Sequence, residues 1–137
     1  MKIELSKEKY TKQIINFFDD NLDKNNKAVH SREFLCPFGV RAAVKRGWVV
    51  IGIDEDKIIS AVRFYPRKND GIVSIYQFAV DEKYRGNELV QKMLSTTKFE
   101  QFEFKCPKDI EFNDYYDKIG ASLVKHDEQY NYWILIL

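Results

Sequence analysis

No apolar run in the sequence approaches the roughly 20 residues that a membrane-spanning helix requires. Cysteine is scarce, with two among 137 residues, and neither sign of charge prevails: 22 Lys and Arg face 21 Asp and Glu. Each scarcity narrows the function. Without a basic or acidic field there is no electrostatic reason to expect nucleic acid or an anionic membrane as partner. Cys36 and Cys106 form no C-x-x-C pair, and with His30 and His126 scattered in polar segments they make neither a metal set nor a catalytic triad. The opening Met1-Lys2-Ile3-Glu4-Leu5 lacks the apolar core of a secretion signal, so a reducing cytoplasm is the expected location. Repeats, low-complexity tracts and interdomain linkers are missing too, and the polar run 19–27 is too short to divide domains. What is present is a composition, 45% hydrophobic and 31% charged, that suits one packed domain over residues 1–137.

Patterning supplies the elements. Ile3 and Leu5 alternate with Lys2 and Glu4 as in an edge strand. Ser6 is placed to cap a helix whose apolar face is Tyr10, Ile14, Phe17 and Phe18. Pro37 to Arg46 reads as a second helix, with Pro37 in its first turn and Gly47 as its stop. Three strands follow over 48–53, 57–65 and 72–80, joined by Asp54-Glu55-Asp56 and by an Asp70-Gly71 hairpin. The third is apolar on both faces, which places it in the middle of a sheet with cover above and below. A helix over 87–96, a strand over 102–106, a helix over 110–119 and strands over 121–125 and 129–137 complete the order β-α-α-β-β-β-α-β-α-β-β. The fold class is α+β, a mixed central sheet flanked by about four helices, with helix-joined strands running parallel.

Chemistry concentrates in two segments. The central strand runs directly into Asp81-Glu82-Lys83-Tyr84-Arg85-Gly86-Asn87-Glu88-Leu89-Val90. A strand, a polar turn and a helix start make an anion site, because free N–H groups leave the helix N-terminus and its dipole favours phosphate. Gly86 lets the backbone approach and Arg85 adds a cation. The second segment, Asn113-Asp114-Tyr115-Tyr116-Asp117-Lys118-Ile119-Gly120, continues an apolar face formed by Phe112, Tyr115, Tyr116 and Ile119.

The element order and these two segments resemble the GNAT superfamily of N-acyltransferases. The family binds the pyrophosphate of coenzyme A with a Q/R-x-x-G-x-G/A motif. Arg85 matches its first position and Gly86 the frequent Arg-Gly of that turn, while Glu88 and Val90 stand where the motif has a glycine and a small residue. The later segment is similar to the family's C-terminal helix, Asn followed by Phe-Tyr-x-Lys-x-Gly. The resemblance implies a GNAT-like fold that takes acetyl-CoA as co-substrate and needs no metal. It implies a sheet that splays at Phe78 to Val80 and Phe104 to Cys106, exposing backbone to the pantetheine arm. Its cofactor-binding positions fall on Phe78, Ala79, Val80, Arg85, Gly86, Asn87, Glu88, Leu89, Val90 and Asn113. Tyr116 falls where the family places its general acid toward the leaving thiolate.

Two readings stand at this point. One is an acetyl-CoA-dependent N-acetyltransferase in which a small-molecule or peptide amine attacks directly. The other is a GNAT-like CoA- or protein-binding module with little or no turnover. Glu88 and Val90 favour the second, since a carboxylate beside a phosphate is repulsive; Tyr116 and Asn113 favour the first. As ordinary protein chemistry, Tyr115 and Tyr116 suit a packed core face and Glu88 suits the first turn of a helix. The central strand has no acid over 72–78, so Asp81 just after it and Glu33 ahead of the second helix are the candidate bases, acting through water. Cys106 is expected to be a buried, inert thiol.

Overall fold

The computed structural model describes residues 1–22, 35–86 and 88–137. Its elements are β1 (Lys2–Leu5), α1 (Thr11–Asn21), α2 (Pro37–Lys45), β2 (Val49–Asp54), β3 (Lys57–Pro66), β4 (Ile72–Val80), α3 (Leu89–Ser95), β5 (Gln101–Pro107), α4 (Asn113–Lys118), β6 (Ser122–His126) and β7 (Tyr130–Ile136). The strands form one mixed sheet in the order β1-β2-β3-β4-β5-β7-β6. The expected α+β architecture and element order are both present.

Local chemistry accounts for the junctions. Glu55 and Asp56 join β2 to β3 with φ of 50° and 63°, the two left-handed residues of a type I′ hairpin. Gly71, at φ 71°, turns the chain into β4, and the Asp70 carboxylate accepts from the Ile72 N–H at 3.0 Å. Ser6 does not cap a helix: its hydroxyl lies against the Lys7 carbonyl, and a 3-10 turn over Glu8–Tyr10 intervenes before α1. Two helices are shorter than their apolar spacing suggests: α3 runs Leu89–Ser95 and α4 runs Asn113–Lys118.

β4 and β5 are parallel, as strands joined by a helix should be. β6 does not lie beside β5, because β7 inserts between them, antiparallel to both. Composition explains the order. β7 buries Trp133 and Leu135, whereas all five residues of β6 are exposed, so the more apolar strand takes the inner position and the polar one the edge.

Each face of the sheet carries its own core. On one side α1 and α2 pack Ile14, Phe17, Phe18, Val40, Ala43 and Val44 against β2 and β3. On the other, Leu89, Val90, Met93 and Leu94 of α3 pack with Tyr116 of α4 on Phe64, Val73, Phe102 and Phe104. β2 serves both, with Val49 and Ile51 on one face and Val50 on the other.

Two irregularities in β4 position everything that follows. The pairing with β3 steps from Arg63↔Gln77 to Phe64↔Ile75, so Tyr76 is an extra residue, a β-bulge. Because side chains alternate along a strand, one extra residue exchanges the faces beyond it. Val73 and Ile75 point toward α3; after the bulge it is Phe78 and Val80 that do so, while Ala79 faces α1 and α2. The pairing of β4 with β5 also stops early, at Ile75↔Phe104. Beyond it β4 continues to Val80 on β3 alone, and β5 to Pro107 on β7 alone. The sheet thus opens as a wedge between 76–80 and 105–107, the splay expected at Phe78 to Val80 and Phe104 to Cys106.

Candidate functional site

A cavity of about 720 Å³ lies at the mouth of this wedge, on the α3 and α4 face. The size is that of a small-molecule site. Its walls come from distant elements: Phe78, Ala79 and Val80 of β4, then Tyr84, Arg85, Gly86 and Glu88, the start of α3 at Leu89 to Gln91, one face of α4, and the C-terminal end of α1.

The turn has the features of an anion cradle. Gly86 is left-handed at φ 84°, and no atom lies within 4 Å of where its Cβ would be. Tyr84 donates to Asp54 at 2.7 Å, which ties the turn to β2. The first backbone bond of α3 runs from the Lys92 N–H to the Glu88 carbonyl, so the amides of Leu89, Val90 and Gln91 lie ahead of the helical ladder. Arg85 folds back and donates from Nε to the Val80 carbonyl at 3.1 Å, which keeps its cation beside the strand end. Lys118 of α4 brings a second cation to the wall.

Glu88 sits differently from its place in the sequence pattern. It precedes α3 rather than occupying its first turn, and its φ is 55°. Glycine adopts this left-handed conformation freely, and other residues pay on the order of 1 kcal/mol. Backbone geometry here thus asks for the residue that the resemblance leads one to expect. Among the described residues lining the cavity, Glu88 supplies the only carboxylate.

Tyr116 lines the cavity from α4. It is 4% exposed and ringed by aromatics: Phe104 at 5.0 Å between centroids, Phe112 at 5.5 Å, Tyr115 at 5.6 Å, Trp133 stacked at 5.9 Å and Phe78 at 6.2 Å. Burial pushes its hydroxyl well above the usual tyrosine range, with Cys106 and Tyr115 adding to the effect. Burial also raises Tyr115, to about 12, and the thiol of Cys106, to about 11. Both tyrosines therefore hold their protons at neutral pH, and Cys106, 1% exposed, stays an unreactive thiol.

Asn113 is not on the cavity wall. Its Nδ2 donates to the carbonyls of Pro107, Lys108 and Ile110, and its Oδ1 accepts from Asn131 Nδ2 at 3.1 Å and Trp133 Nε1 at 3.0 Å. The amide ties the end of β5, the start of α4 and β7 together, and through Trp133 it braces the Tyr116 ring. Asp81 is likewise occupied, accepting from the Lys83 N–H at 3.0 Å, and does not line the cavity. Asn87 and Glu33 lie outside the described residues. The structure brings together Phe78, Ala79, Val80, Arg85, Gly86, Glu88, Leu89, Val90 and Tyr116. Lys118, Phe112 and Tyr84 join them without having been singled out. Lys118 stands in the quoted helix motif, one turn from Tyr115, so a signal existed. Asn21 and Leu22 come from the far end of α1, and no local pattern foretells them.

Among the described residues no cluster of His, Cys, Asp or Glu is placed to hold a metal, and no helix is long and apolar enough to cross a membrane. No protein-family sequence profile matches the chain, and no curated protein matches it by sequence. Solved structures do match. The PaiA N-acetyltransferase of Thermoplasma acidophilum, in complex with coenzyme A, superposes with a TM-score of 0.77 at 9% identity, over 99% of this chain and 98% of that one. A Drosophila melanogaster polyamine N-acetyltransferase that forms N-acetylagmatine gives 0.73 at 11% identity, over 99% of both chains. The diaminobutyrate acetyltransferase EctA of Paenibacillus lautus, with L-2,4-diaminobutyric acid and coenzyme A bound, gives 0.69 at 10% identity, over 98% of this chain and 93% of that one. The chain has the fold of the GNAT acetyltransferases.

Two predictions follow from the local geometry. Asn113→Ala removes a hub of five hydrogen bonds and should destabilise the fold by about 2–4 kcal/mol in denaturant titration. The affinity of the remaining folded protein for coenzyme A should change less than about threefold; a larger specific loss would place the amide on the ligand after all. Glu88→Gly should stabilise the fold by roughly 0.5–1 kcal/mol, since it relieves a left-handed residue at the cost of a more flexible unfolded chain. It should also tighten coenzyme A binding about threefold to tenfold by removing a like charge. Weakened binding in calorimetry would show that the carboxylate does not face the phosphates.

Proposed function

We propose that this chain, built on the GNAT fold, is an acetyl-CoA-dependent N-acetyltransferase whose acceptor is an amine attacking directly. The observation that carries the reading is the joining, around one cavity, of the β4–β5 wedge, the Arg85-Gly86 turn with the start of α3, and the buried Tyr116. The chemistry of the donor set fits the co-substrate. Amides and a cation suit a diphosphate, and an apolar slot beside a free strand edge suits an amide-bearing thiol arm.

Acetyl-CoA supplies the activated thioester; the chain's own groups do the rest. The amides of Leu89 and Val90, with Arg85, Gly86 and Glu88 around them, form the diphosphate cradle. The inner edge of Phe78 to Val80, which has no β5 partner, offers backbone donors and acceptors to the arm. Tyr116 holds its proton at neutral pH because burial disfavours the phenolate, and this is the state a general acid toward a leaving sulfur requires. Neutral attack on the thioester leaves the amine with a proton to lose. Asp81 is engaged in its own turn, and Glu33, acting through water, is the candidate to take that proton. The acceptor is a primary amine on a small molecule or peptide, a class supported by neighbours that form N-acetylagmatine or bind diaminobutyric acid.

A second reading has a specific observation in its favour. Glu88 puts a carboxylate on the wall of the diphosphate cradle, which suits a module that binds coenzyme A or a protein with little turnover. Calorimetric titration with acetyl-CoA, followed by a screen of amine acceptors, separates the two. Binding with free-thiol release in the presence of an amine supports the enzyme; binding without turnover across the screen supports the module; no binding at millimolar concentration removes both coenzyme A readings.

For the enzyme, Tyr116→Phe keeps the ring contacts and removes one donor. Acetyl-CoA affinity and melting temperature should stay close to wild type, while kcat falls about 10²-fold, at the lower end for acid–base groups because a thiolate needs little help to leave. The raised hydroxyl also sets a sign: the donor is present through neutral and mildly alkaline pH, so the wild-type kcat profile should show no alkaline loss from Tyr116 below pH 10. Wild-type turnover in the variant would remove Tyr116 from the mechanism.

A further inference from the structure

The acyl end of a thioester bound along β4 would come to rest in the wedge, and one side chain closes that space. Phe78 lies where β4 and β5 have parted, three residues beyond the last paired residue, Ile75. The extra residue at Tyr76 turns it toward α3 and α4; with regular alternation after Ile75, Gln77 would have occupied that face. The Phe78 ring is the centre of an aromatic cluster, 5.4 Å from Phe104, 5.7 Å from Phe112, 5.8 Å from Tyr115 in a stacked arrangement and 6.2 Å from Tyr116. Phe78 and Tyr116 line the cavity, whereas Phe104 does not. Phe78 therefore stands between the lumen and the buried Phe104, like a plug in the wedge.

We propose that Phe78 sets the size limit on the acyl group, so that the site admits acetyl and rejects chains several carbons longer. The inference rests on the acyl-CoA reading of the cavity and adds a specificity residue to it. Its physical basis is close packing. The ring contacts four others, so room for a longer tail requires a concerted shift of the cluster, and well-packed aromatic interiors resist such shifts. Deleting the ring converts the same volume into an apolar slot continuous with the cavity, lined by Phe104 and Tyr116, of a kind that takes up aliphatic or aromatic groups.

The test is calorimetric binding of free coenzyme A, acetyl-CoA and hexanoyl-CoA to wild type, Phe78→Ala and Phe78→Leu, with circular dichroism on each protein. Wild type should bind hexanoyl-CoA at least about tenfold more weakly than acetyl-CoA, the scale on which apolar pockets discriminate by size. In Phe78→Ala the penalty, taken as the ratio of hexanoyl-CoA to acetyl-CoA affinity with each normalised to free coenzyme A in the same variant, should shrink to within about threefold or reverse. Phe78→Leu should fall between, and it carries the comparison if the alanine variant does not fold. Equal wild-type affinity for the two acyl-CoAs, or an undiminished penalty in the variants, overturns the size limit and leaves the coenzyme A reading intact. Failure of free coenzyme A to bind wild type overturns that reading and this inference with it.

Discussion

Hydrogen bonding between β4 and β5 ceases after Ile75 and Phe104, and the cavity depends on that interruption. Backbone N–H and C=O groups on the two inner edges lose their strand partners at a depth where polar groups need them. The sheet tolerates the gap because each strand is held on its other side, β4 by β3 as far as Val80 and β5 by β7 as far as Pro107. The bulge at Tyr76 belongs to the same device. Without it Phe78 and Val80 would face α1 and α2, and the wedge would open onto Gln77 and Ala79.

The wedge is lined by side chains whose positions are fixed from behind. Trp133 stacks on Tyr116, its indole N–H is held by Asn113, and Asn113 in turn anchors the chain at Pro107, Lys108 and Ile110. The asparagine thus braces the cavity from behind without lining it. That arrangement makes sense of a polar residue at the head of α4, where its amide replaces partners that the strand end and the turn would otherwise lack.

The proposed diphosphate cradle carries a tension between backbone and side chain. The left-handed turn at Gly86, the amides ahead of α3 and two nearby cations all favour an anion, while Glu88 in a left-handed conformation opposes it. Its carboxylate is exposed, where solvent screens its field, and its backbone still delivers the chain into α3. This residue separates the enzyme from the binding module more directly than any other in the cavity.

Much of this was legible in the sequence. Among the described residues, alternation and helical spacing located each strand and α-helix to within a few residues, because burial of one face imposes a period on the chain whatever surrounds it. Arg85-Gly86 and the Tyr116 helix were readable because short segments fix their own local geometry. Other features were settled only when distant segments met. The insertion of β7 between β5 and β6 follows from competition for the buried position. The bulge at Tyr76 shows only against the register of β3, since an extra residue leaves no mark in a strand apolar on both faces. The bonds of Asn113 and the left-handed φ of Glu88 depend on neighbours far along the chain or on how the turn closes. Local sequence determined which elements form and where chemistry is concentrated; long-range pairing and packing decided which side chains face the cavity, because facing is a relation between elements and not a property of any one of them.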